Sequence, residues 1–123
     1  MTLGIIIFTV IVSVVAFNNQ ELSDKLRFNA YYIKHNRQLW RFLSHGLVHS
    51  DYTHLAINML VLWSFGGVVE QILSEFYANG SPYVFLIFYI SALLVASIFS
   101  FVKNRDNIWY NAVGASGAVS AVV

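Results

Sequence analysis

The residues best suited to chemistry lie near the end of the chain, where Gly114-Ala115-Ser116-Gly117-Ala118 opens an apolar run. A serine hydroxyl becomes an effective nucleophile when a base takes its proton and donors are already placed for the developing oxyanion. The same small residues also suit close helix packing, with Ser116 as a helix cap. The pattern is not the Gly-x-Ser-x-Gly elbow of α/β hydrolases, because Gly117 directly follows the serine. A second group is His54 with Asn58, four residues apart and so on one face of a helix. In an apolar segment such a pair marks either a functional site or a hydrogen bond between helices, the latter worth roughly 0.6 kcal/mol. A third group, His45, His49 and His54 with Asp51, has the residue types of a zinc or iron site. Against a metal, no His-Glu-x-x-His occurs, and four histidines with one nearby aspartate are too few for a di-iron centre.

The elements that must position these residues are those of a membrane protein. Of 123 residues, 58% are hydrophobic and only 11% charged, and the polar residues are gathered in a few blocks. Seven basic residues against six acidic give a net charge of +1, which excludes a nucleic-acid-binding role. The absence of cysteine excludes disulfides, thiolate metal sites and cysteine nucleophiles.

Spans are expected at about residues 2–17, 54–73 and 83–102, with the start of a fourth at about 115–123. The first could also be read as a signal peptide, since Val14-Val15-Ala16 resembles a cleavage site, but it has no basic leader. Between the first two spans, residues 18–53 hold five of the seven basic residues, three of the four histidines and several aromatics, as expected of short helices lying at the headgroup level. Trp40-Arg41 suits that position as an anchor. Asn79-Gly80-Ser81-Pro82 reads as a turn. The fourth apolar segment, counted from Asn111, stops after thirteen residues, which is too short to cross, so the chain is expected to be the amino-terminal part of a longer protein.

Taken in order, Trp40-Arg41, His45-x3-His49, His54-x3-Asn58, Gly66-Gly67 with Glu70, and Gly114-x-Ser116-Gly117 resemble the rhomboid family of intramembrane serine proteases. The resemblance covers most of Leu39 to Val123. It implies an all-α, polytopic membrane helical bundle of six helices, of which this chain would supply three complete spans and the opening of a fourth. It implies that Ser116 is the nucleophile, that His54 and Asn58 stabilise the oxyanion, and that no cofactor or metal takes part. It also implies that His45 and His49 hold the first loop by hydrogen bonds, that Gly66 and Gly67 admit a neighbouring helix, and that Glu70 ties helix ends together at the opposite surface.

The family's base is a histidine in the sixth helix, and none of the four histidines here matches it, so this stretch alone is expected not to cleave. The expected partners are transmembrane protein substrates and the lipid bilayer, with the oligomeric state left open, and the expected location is the bacterial cytoplasmic membrane. Loop charges would place the first and third loops in the cytoplasm, whereas the family places the first loop outside. The resemblance therefore implies a first loop on the outer side. Two other functions stay open: an inactive rhomboid-like protein that binds membrane clients, and a metal-dependent membrane enzyme built on the histidine cluster.

Overall fold

The computed structural model describes residues 1–77, 79 and 83–123, so Gly80, Ser81 and Pro82 of the expected turn lie outside the described residues. Three apolar helices form the body: α1 (Thr2–Phe17), α5 (Tyr52–Phe76) and α6 (Tyr83–Asn104). Between α1 and α5 the chain folds into α2 (Gln20–Leu26), α3 (Ala30–Asn36), α4 (Arg41–Ser44) and a 3-10 turn at His45–Leu47. A short α7 (Ser116–Val122) packs against α5 and α6.

Helices α5 and α6 are each long and apolar enough to cross a bilayer, with only 28% and 22% of their most apolar windows buried inside the protein. That exposure separates them from the core helices of a soluble domain, whose apolar faces are covered. The sixteen residues of α1 form a shorter apolar helix of about 24 Å. Its sidedness fits a lipid surround: Thr2, Thr9, Ser13 and Ala16 are buried against the protein, while Leu3, Ile7, Phe8, Ile11 and Val15 face outward.

Helix α1 runs antiparallel to α5. At one end Phe17 stacks on Tyr52, ring centroids 4.5 Å apart. At the other, Glu70 Oε2 accepts the Thr2 hydroxyl at 2.6 Å and the Thr2 N–H at 2.8 Å. Gly66 lies against Thr2, where a β-carbon would come within 2.9 Å of Thr2 Cγ2, whereas Gly67 meets nothing within 4 Å. The core joins Leu55, Met59 and Leu62 of α5, Phe85, Tyr89 and Leu93 of α6, and Ala118, Val119 and Val122 of α7.

The polar segment folds through its own capping residues. Asn19 accepts the N–H of Leu22 to start α2, Asn29 that of Tyr32 to start α3, and Asp51 that of His54 to start α5. The carbonyls at the end of α2 are satisfied by side chains from the Trp40 to Ser44 stretch. Arg41 Nη1 donates to Asp24 O at 2.8 Å and Arg27 O at 2.7 Å, the Trp40 indole to Lys25 O at 3.1 Å, and Ser44 Oγ to Leu26 O at 2.7 Å. The Trp-Arg pair therefore closes the open end of a helix.

Candidate active site

The fourth apolar segment is not helical from Asn111. Residues 111–115 run as irregular chain along the first loop, and the helix begins at Ser116. Four contacts hold that approach: Asn29 Nδ2 donates to Asn111 Oδ1 at 3.0 Å, Phe28 and Ala112 exchange both backbone hydrogen bonds at 2.8 and 3.0 Å, Gly114 N–H donates to His45 O at 2.9 Å, and Ala115 N–H donates to His49 Nε2 at 3.3 Å. Each of residues 111, 112, 114 and 115 is thus fastened to the loop before Ser116 is reached.

Gly114 is required twice over. Its φ of +109° lies in the region that side chains rarely adopt, and a β-carbon would sit 2.6 Å from His54 Cε1. The close approach sets the His54 imidazole directly against the turn that presents Ser116. Gly117 plays a packing role, since a β-carbon there would lie 2.6 Å from Ala96 Cβ, and its absence lets α7 close on α6.

His54 is the third residue of α5, half-buried, with Nδ1 3.1 Å from Ser50 Oγ. Its Nε2 lies on the Gly114 side, 3.1 Å from where a β-carbon of residue 114 would stand. Asn58 follows one turn later and is buried, and among the described residues its Nδ2 has no hydrogen-bond partner. An amide donor left unpaired in a buried setting costs free energy and is a marker of a group kept available. Ser116 itself is exposed, and among the described residues no side chain hydrogen-bonds its hydroxyl.

His49 sits behind this arrangement. Ser13 Oγ donates to Leu47 O at 2.6 Å, so the 3.0 Å contact between Ser13 Oγ and His49 Nδ1 places the imidazole proton on Nδ1. Nε2 is then a lone pair, which is what the Ala115 N–H needs. Burial, reinforced by the nearby His54, pushes the His49 pKa down to about 4, which keeps this neutral form. His45 is also held below the ordinary imidazole value, chiefly by burial, and its Nδ1 lies 2.9 Å from Arg41 O. The fourth histidine, His35, lies at 3.5 Å from Asp106 at the loop surface. Among the described residues, no three His, Asp or Glu side chains gather closely enough to hold a metal ion.

Of the expected site residues, His54 is brought against the Ser116 turn and Asn58 lies below it on the same helix. Nothing in the sequence pattern marks Ser13, Asn29 or Asn111. Ser50 carried a spacing signal, four residues before His54, but lies outside the helix. Ser13 is, with Thr9, one of two hydroxyls in an apolar run.

Two helices of membrane-crossing length in a helical fold give the chain the build of a helical membrane protein. The Rhomboid domain family matches residues 36–123, and the chain belongs to the rhomboid family. Rhomboid protease GluP of Bacillus subtilis (strain 168) is 40% identical over 80 residues, covering 65% of this chain and 14% of that protein. The chain thus spans a small part of that relative's length. The all-helical fold, the two membrane-length helices and the family together describe an integral membrane protein.

Proposed function

We propose that this chain forms the nucleophile half of an intramembrane serine endopeptidase that cuts peptide bonds in or near transmembrane segments of other membrane proteins. The observation that carries the reading is the placement of His54 against Gly114, on the turn that presents Ser116. Ser116 Oγ attacks the scissile carbonyl carbon, and its proton passes to a base and then to the leaving amine. The resulting acyl-enzyme is released by water, so no cofactor or metal is needed.

The oxyanion is met by His54 Nε2–H, Asn58 Nδ2 and the Ser116 N–H. For His54 to donate from Nε2, its Nδ1 must accept, which assigns Ser50 Oγ as the donor in the 3.1 Å contact. Ser50 is then a positioning residue that sets the tautomer. The base would be the histidine that the rhomboid resemblance implies in the sixth helix, which none of the four histidines here matches. The whole protein would be a six-helix bundle in the bacterial cytoplasmic membrane with its first loop outside. The alternative reading is a rhomboid-like protein that binds membrane clients without cutting them.

The test is cleavage of a fluorogenic transmembrane substrate by the protein expressed from its full reading frame in membranes. Cleavage that is lost in Ser116→Ala supports the protease. No cleavage by either, with substrate still retained on the protein, supports the client-binding reading instead.

A further inference from the structure

Trp109 is the most exposed large apolar side chain among the described residues, at 88%. It stands in the turn between α6 and the stretch that leads to Ser116. That turn is held from several sides. The Trp109 N–H donates to Asn107 Oδ1 at 3.1 Å, Asn111 Nδ2 to Trp109 O at 3.4 Å and Asn29 Nδ2 to Ile108 O at 2.9 Å, while Lys34 pairs with Asp106 at 2.7 Å. A fixed backbone thus holds an open indole, whose apolar area is costly in water.

The depth of the turn follows from its hydrogen bonds. Asn107 N–H donates to Asn104 O at 3.0 Å and Tyr110 N–H to Asn107 O at 3.3 Å, so the chain doubles back on the end of α6 instead of rising away from it. Helix α6 is apolar enough to cross a bilayer, and its outward side chains Ile98, Phe99 and Val102 stay exposed almost to its end at Asn104. The turn therefore begins where the apolar surface stops, the level at which indoles gather in membrane proteins.

Two cations lie at the same level. Lys103 Nζ sits 5.9 Å over the ring of Phe99, and Arg105 follows just past the helix end. Asp106 is taken by Lys34, with His35 at 3.5 Å, and among the described residues neither Lys103 nor Arg105 has a carboxylate partner. A cation beside exposed apolar rings is best met by an anion, and lipid already covers the outer face of α6 up to this turn.

We propose that the turn from Lys103 to Trp109 anchors in the headgroup layer of an anionic leaflet, with the indole among the lipid glycerol groups and Lys103 and Arg105 beside lipid phosphates. The contact lies apart from Ser116 and does not depend on proteolysis.

The experiment is tryptophan fluorescence of the full-length protein in vesicles of phosphatidylglycerol and phosphatidylcholine, one or the other carrying bromine on its acyl chain. The emission that Trp109→Phe removes belongs to Trp109. That component should be quenched by bromine near the glycerol more than by bromine deep in the chain, and little by acrylamide in the water. Brominated phosphatidylglycerol should quench it about twice as strongly as brominated phosphatidylcholine at the same fraction, and the difference should vanish when Lys103→Gln and Arg105→Gln are combined. Quenching by acrylamide but not by bromine would place Trp109 in water, and quenching by neither would place it under a later segment of the chain or a second copy. Either result, or equal quenching by the two brominated lipids, would overturn the proposal.

Discussion

His49 Nε2 accepts the N–H of Ala115, the residue immediately before Ser116, while its Nδ1 lies 3.0 Å from Ser13 on α1. One imidazole thus ties the first helix, the first loop and the serine turn, and it can do so only when neutral. A proton on Nε2 would face another donor.

The pH dependence follows from that geometry. The His49 pKa falls from about 6.5 to about 4 on folding, so the unfolded chain binds the extra proton first as pH drops. Stability is therefore fully present above about 6.5 and is lost progressively between about 6.5 and 4. Burial of His45 acts with the same sign. Thermal unfolding in detergent should show this loss, and His49→Gln, which keeps an acceptor for Ala115, should make the slope shallower.

Gly114→Ala should damage activity far more than folding. Strain at a positive φ costs about 1–2 kcal/mol, whereas the added methyl would displace His54 from the turn. Circular dichroism with a cleavage assay should show a helical protein with activity near background.

Loss of an oxyanion donor should lower kcat by about 10²–10³ with KM little changed. His54→Ala and Asn58→Ala are the variants to measure. Ser50→Ala should lower kcat less than either and shift the pH profile, because it acts only through the His54 tautomer.

Arg41→Lys is not a conservative change here. The guanidinium bridges Asp24 O and Arg27 O from Nη1 and reaches Gln38 Oε1 from Nε, a fork that an ammonium cannot reproduce. A loss of about 1–3 kcal/mol is expected, visible as a lower Tm and as faster proteolytic nicking in α2.

The two long apolar helices, α5 and α6, were legible in the sequence because hydropathy and length report them without reference to other segments. The α5 and α6 helices extend past the expected 54–73 and 83–102 to residues 76 and 104, because flanking polar residues continue the helix without adding hydropathy. That residues 18–53 form short helices was legible from their mixed charge and aromatic content. The clamp on residues 111–115 was not. Asn29 with Asn111 and Phe28 with Ala112 pair across more than eighty residues of sequence, and no local period marks two extended stretches that meet at one bridge. Ser13 was hidden for a related reason: a small hydroxyl inside a span costs little, so it gives no signal until its partner is seen.

The central claim is that Ser116 is an activated nucleophile. It is tested most directly by treating the full-length protein in membranes with a fluorophosphonate and locating the adduct by peptide mass spectrometry. A single adduct on Ser116, absent when His54 and Asn58 are both replaced by alanine, is the predicted result. An unmodified Ser116 in protein that cleaves a transmembrane substrate, or an adduct on another serine, would contradict it.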